Sequence, residues 1–157
     1  MGNNSKMLPR LLINPTELTC DIIIGNWQVC QGIQKIVGFS RGFHHRNSIR
    51  LGYNRSQGDD FVRLWMYAYV NSERIEKMIG EFKIGTKIHP KLYWLNSLIA
   101  IEIYDTSNIN FPTHDVYYPR FNATFPIGYL LRPYAEVDGP DDVPTKFNVD
   151  IRNLKIS

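Results

Sequence analysis

Long apolar runs, a cysteine framework and a block of like charge are all missing from this 157-residue chain. The apolar stretch Leu11-Leu12-Ile13 is far too short for a signal-peptide core or a membrane span. Gly2 suggests myristoylation, but Lys6 stands where that motif wants Ser or Thr. The expectation is therefore a protein made in a cytoplasm, with no membrane partner. Cysteine is limited to Cys20 and Cys30, too few for the disulfide scaffold of a small secreted domain. Both have apolar neighbours, which points to buried, reduced thiols. Lys and Arg total 18 against 15 Asp and Glu, for a net charge of +3. The densest basic run, Arg41, Arg46, Arg50 and Arg55, is diffuse, so no nucleic-acid partner is expected.

What the chain has in quantity is aromatic residues: nine Tyr, eight Phe and three Trp. They sit in short β-rich runs separated by turn residues. The runs cover roughly 19–24, 27–38, 47–54, 60–70, 75–84, 92–104, 114–118, 126–136 and 145–156. Such regular spacing is the signature of a sandwich or barrel. In 61–70, Val62, Leu64, Met66, Ala68 and Val70 share one strand face, and Phe61, Arg63, Trp65, Tyr67 and Tyr69 share the other. Asn71-Ser72 then suits a tight hairpin, because Asn tolerates a left-handed backbone. Ile99, Ile101 and Ile103 alternate in the same way, as do Phe147, Val149 and Ile151. The last pattern slips to Leu154 and Ile156, which predicts a β-bulge near Asn153. No internal repeat or low-complexity tract is present.

Titratable clusters give no strong site. His44-His45 on a strand would point to opposite faces, His89 and His114 read as loop residues, and zinc needs three or four convergent ligands. Glu136, Asp138, Asp141 and Asp142 crowd a Gly-Pro loop that could hold Ca²⁺, though the spacing matches no EF-hand. No phosphate-cradling Gly-rich loop precedes a helix. Glu102 and Asp150, candidate paired carboxylates, fall on different strands. Asn3-Asn4-Ser5, Asn54-Arg55-Ser56 and Asn122-Ala123-Thr124 fit the glycosylation sequon, which means little without a secretory signal. Neither a cofactor, a metal nor a catalytic residue is expected.

Two segments carry a family likeness. The first runs from Ile36-Val37-Gly38-Phe39-Ser40 through His44-His45-Arg46-Asn47-Ser48-Ile49-Arg50-Leu51-Gly52-Tyr53 to Tyr67-Ala68-Tyr69-Val70-Asn71. The second is Gly128-Tyr129-Leu130-Leu131-Arg132-Pro133-Tyr134, followed by the acidic loop and a final alternating strand. Together they resemble small jelly-roll-like β-sandwich proteins of gut Bacteroidetes and of the crAss-like tailed phages that infect them. The longer loop Val137–Pro144 departs from that pattern, and no catalytic residue comes with the resemblance.

The resulting expectation is an all-β, jelly-roll-like β-sandwich spanning residues 18–157, with an extended N-terminal arm over 1–17. The resemblance implies a non-enzymatic structural or accessory protein of a tailed-phage virion, at the capsid, portal vertex or tail. It would bind neighbouring virion proteins in a multi-copy assembly. Candidate interface residues are Leu11, Leu12 and Ile13 on the arm, and Arg63, Trp65, Tyr67 and Tyr69 on the aromatic strand face. The alternative is a carbohydrate-binding module with that face as a glycan platform. Since 61–70 itself offers no Ser or Asn to reach sugar hydroxyls, packing or a protein interface is expected of it first, with Arg63 stacking on Trp65 or Tyr67.

Overall fold

The computed structural model describes residues 10–121, 124–131, 133 and 149–157. The expectations placed on residues 1–9, Tyr134, the acidic loop and Phe147 lie outside the described residues. Among the described residues every regular element is a strand. They are β1 (Leu11–Ile13), β2 (Glu17–Ile23), β3 (Cys30–Ser40), β4 (Ser48–Arg55), β5 (Phe61–Val70) and β6 (Glu73–Lys83), then β7 (Lys87–Trp94), β8 (Leu98–Asp105), β9 (His114–Pro119), β10 (Ile127–Leu131) and β11 (Ile151–Ile156). They form two antiparallel sheets, one of six strands in the order β1-β10-β3-β4-β5-β6 and one of five in the order β11-β2-β7-β8-β9. The fold is a β-sandwich.

Alternation builds the core. Val62, Leu64, Met66 and Ala68 of β5 are fully buried, as are Ile99, Ile101 and Ile103 of β8. Leu18 and Cys20 of β2 and Ile49, Leu51 and Tyr53 of β4 complete the same layer. Two packed apolar faces are what a pair of half-polar sheets must bury to be stable. Both cysteines lie in this layer as free thiols.

The hairpin at Asn71-Ser72 forms as the sequence indicates. Both residues are left-handed, with φ of 52° and 70°, and Val70 pairs with Glu73. That backbone matches the twist of the flanking strands. The bulge also falls where the pattern slips: Asn153 has φ 53°, and the β11–β2 register shifts between Arg152 and Lys155.

Three features differ from the sequence expectation. The run 92–104 is a hairpin, β7 and β8, closed at Leu95–Ser97; apolar residues on both sides of Asn96-Ser97 mask the turn. Within the arm, Leu11–Ile13 lie along the domain as edge strand β1, paired with β10, a strand the sequence pattern did not announce. Trp27 precedes β3 and packs in the core against Tyr53, 4.9 Å between ring centroids.

Candidate functional site

The outer face of the six-stranded sheet gathers aromatic and polar side chains in register. On β5, Arg63, Trp65, Tyr67 and Tyr69 all point this way, opposite the aliphatic face that enters the core. Across the sheet, β4 sets Asn54 against Arg63, Gly52 against Trp65 and Arg50 against Tyr67. On the other side, β6 sets Glu81, Met78, Glu76 and Arg74 against Arg63, Trp65, Tyr67 and Tyr69 respectively. Directly opposed residues share a face, so these rows form one surface.

Its geometry is held from several strands. The Trp65 indole Nε1 donates to Asn54 Oδ1 at 2.8 Å, which fixes a half-buried ring in the middle of the face. Lys35 of β3 lies over the Tyr67 ring, 4.1 Å from its centroid. Burial, with help from the Tyr69 hydroxyl, pushes the Tyr67 phenol up to about 12, so it is protonated at neutral pH. Arg63 forms ion pairs with Asp59 and Glu81. Its guanidinium sits over Phe61, 5.0 Å away, rather than over Trp65 or Tyr67. At Gly52 an added Cβ would lie 2.5 Å from Ile33 Cγ2, so the missing side chain makes room for Ile33 of the neighbouring strand β3.

The histidines sit differently from the sequence expectation. His44 and His45 lie in the β3–β4 turn, where strand alternation does not apply, and their rings are 4.0 Å apart. His44 Nδ1 meets the Tyr129 hydroxyl at 2.6 Å. His45 stands edge-on to Tyr69, at 5.4 Å between centroids. Burial, reinforced by His45 and Arg50, lowers the His44 pKa and keeps it neutral at pH 7. His89 is on β7, with Nδ1 2.6 Å from Asp21 Oδ1; His114 opens β9. Among the described residues no three His, Cys, Asp or Glu side chains converge as metal ligands.

Gly38-Phe39-Ser40-Arg41-Gly42 has the Gly-x-Ser-x-Gly spacing of a hydrolase nucleophile elbow. An elbow exposes its serine at a strand-to-helix turn. Here Ser40 ends β3 before a turn into another strand, is fully buried, and accepts the Tyr129 backbone N–H at 3.1 Å. Its role is to tie β10 to β3.

Among the residues proposed from β1, Leu12 is buried in the core, while Leu11 and Ile13 are 71% and 82% exposed. Leu11 lines a cavity of about 640 Å³ together with Phe43, Phe125, Ile127 and the polar Arg41 and Arg46. Four large apolar side chains of that lining, Leu11, Phe43, Phe125 and Ile127, are exposed.

No protein-family model matches the chain, and no curated protein does either. Solved structures do match. Scytalido-glutamic peptidase bound to a transition-state analog inhibitor aligns with TM-score 0.58 at 12% identity, over 94% of this chain and 77% of the other. The ancestral congerin Con-anc aligns at 0.51 and 12% identity, over 94% and 99%. CG-16, a homodimeric agglutinin from chicken liver, aligns at 0.50 and 9% identity, over 96% and 100%. The fold is a jelly-roll β-sandwich, shared with the peptidase and the agglutinin alike. At such identities the likeness extends to the fold alone, and function must be argued from the face itself.

Proposed function

We propose that the protein is a carbohydrate-binding β-sandwich module whose platform is the outer face of the six-stranded sheet. The observation that carries this reading is Trp65. Its ring is locked by Asn54 at the centre of a face that also presents Arg50, Arg63, Glu76 and Glu81. Sugar recognition needs a flat aromatic surface for the ring and rigid polar groups for the hydroxyls. The β5 strand alone supplies only Arg63 and its tyrosine hydroxyls, and β4 and β6 add Arg50, Glu76 and Glu81 through register. CG-16, which shares the fold, is an agglutinin, an analogy at the level of fold that raises this reading above the others.

The test is retention on immobilised glycans, with Trp65→Ala as the comparison. Removing the ring leaves a dent open to solvent rather than a closed cavity, so the cost is the lost apolar burial, about 2–3 kcal/mol. A domain of ordinary stability, about 5–15 kcal/mol, survives that. Glycan retention by the intact protein that disappears in a folded Trp65→Ala supports the platform. Retention of no glycan, or retention unchanged in the variant, refutes it.

A second reading keeps the protein in a tailed-phage particle, as a structural or accessory component bound to other virion proteins. It draws on the apolar end, where Leu11, Phe43 and Phe125, which line one cavity, are 71%, 83% and 64% exposed. Exposed apolar patches of this kind mark protein contacts. Replacing Leu11, Ile13 and Phe43 together by Ser abolishes assembly and spares glycan retention if both readings hold.

A further inference from the structure

The opposite sheet carries a separate hollow. Its volume is about 300 Å³, and Tyr93, Leu95, Leu98, Ala100, Glu102, Asp115, Val116 and Tyr117 line it. Register explains its shape. Tyr93 of β7 pairs with Ala100 of β8, and Ala100 pairs with Tyr117 of β9. Two tyrosines therefore flank an alanine on one face, two strand spacings apart, roughly 9–10 Å between backbones. A flat group in van der Waals contact with a wall on each side needs roughly 7–8 Å. The small Ala100 side chain leaves that slot open.

One end of the slot is acidic. In the next row Lys91, Glu102 and Asp115 are opposed in turn. The hydroxyls of Tyr93 and Tyr104 both donate to Glu102 Oε2. Burial first, then the Glu102 carboxylate, pushes the Tyr104 phenol up to about 12 and raises that of Tyr93 as well, so both remain donors. They hold the carboxylate in place and leave its second oxygen, Oε1, without a protein partner among the described residues. Asp115 has no ion pair or hydrogen bond there either. Among the described residues, Lys91 Nζ lies over the Tyr104 ring at 4.7 Å, and Lys77 Nζ donates to the Tyr117 carbonyl at 3.1 Å. The other end, Leu95 and Leu98, is apolar.

We propose that this hollow receives the side chain of an arginine presented by a partner protein or peptide. The guanidinium is flat, permanently charged, stacks on aromatic faces and meets carboxylates with paired N–H donors. Its aliphatic stem suits the leucine end. A lysine ammonium would reach the carboxylates and feel the ring faces, but it cannot lie flat between two rings or meet a carboxylate with paired N–H donors. A sugar would leave two carboxylates without a counter-charge. The site lies on the sheet opposite Trp65, so it stands or falls independently of the glycan platform.

The test is an amide NMR titration of the full chain with N-acetyl-arginine amide, its neutral isostere N-acetyl-citrulline amide, and N-acetyl-lysine amide. The proposal requires saturable shifts at Ala100, Glu102 and Tyr117 with the arginine probe, weakening as salt is raised. Affinity for citrulline, and for arginine in Glu102→Gln, should fall about tenfold or more, the effect of losing one charge-assisted contact. Tyr117→Ala removes an exposed ring and spares the fold, and it should weaken binding as well. Trp65→Ala should leave the titration unchanged. An absence of saturable shifts overturns the proposal, as does equal binding of citrulline or lysine, or affinity preserved in Glu102→Gln or Tyr117→Ala.

Discussion

Replacing Ser72 by glycine tests the hairpin that sets the register of the aromatic face. Ser72 is left-handed, with φ 70°, directly after Asn71 at 52°. For an L-residue with a Cβ this conformation costs roughly 1–2 kcal/mol, and asparagine escapes part of that. Glycine pays no steric penalty there, although its greater freedom in the unfolded chain returns about 0.5–1 kcal/mol. The net expectation for Ser72→Gly is a gain of about 0.5–1 kcal/mol. At 2–4 °C per kcal/mol for a domain of this size, Tm rises by about 1–4 °C. The backbone contact from Ser72 N to Arg46 O, 2.9 Å, is untouched by the change. Asn71→Gly should gain less, and Ser72→Val should lose more than 1 kcal/mol because a β-branched residue fits φ > 0 worst. Thermal melts of the three variants followed by circular dichroism check the order. A destabilised Ser72→Gly, or a neutral Ser72→Val, would refute the left-handed turn. The β5–β6 register would then be open, and with it the row that opposes Trp65 to Met78.

Other expectations follow from single contacts. Cys20 is buried, and that burial, with Asp21 adding to it, pushes its thiol up to about 12; iodoacetamide at pH 8 should leave the native protein unmodified and alkylate both cysteines after unfolding. A native mass two hydrogens short, or alkylation without denaturant, would count against it. Burial alone would raise the Asp21 carboxyl, but hydrogen bonds from Asn153 and His89 outweigh burial and hold it below 3.8. Its contribution to stability is complete above 3.8 and is lost as pH falls through the lower folded value. Asp21→Asn should therefore be less stable than the parent at pH 7 in urea melts, with the gap closing in acid. A pH-independent gap would assign the loss to packing. At Gly128 an added Cβ would stand 1.8 Å from the Ser40 carbonyl oxygen, so Gly128→Ala should detach β10 and cost several kcal/mol; near-wild-type stability would show that β10 is seated otherwise.

The fold was legible wherever alternation is dense and the turn is chemical. In β5 five aliphatic residues at every second position leave one choice of inward face, and Asn71-Ser72 ends the strand on residues that accept φ > 0. The bulge at Asn153 was legible for the same reason, as a phase slip between Ile151 and Leu154. β1 was not, because three residues carry no period and Leu11–Ile13 becomes a strand only by pairing with Ile127–Tyr129 far along the chain. The tandem His44-His45 misled because alternation was assumed where the chain turns.

The site is a matter of register, which periodicity does not contain. Trp65 and Tyr69 could be placed on one face from the sequence, but Asn54 and Arg50 join them only through pairing with another strand. The second hollow makes the point more sharply. Tyr93-Trp94 and Tyr117-Tyr118 are aromatic doublets, and a doublet on a strand must split between the two faces. Leu92 is buried in the core, so by parity Trp94 follows it inward and is 1% exposed, while Tyr93 turns out. Val116 and Tyr118 pack against the core, so Tyr117 turns out too. Parity thus selects the outward member of each doublet from its aliphatic neighbour, but that both flank Ala100, and that Glu102 lies one row away, requires the β7–β8–β9 pairing to be known.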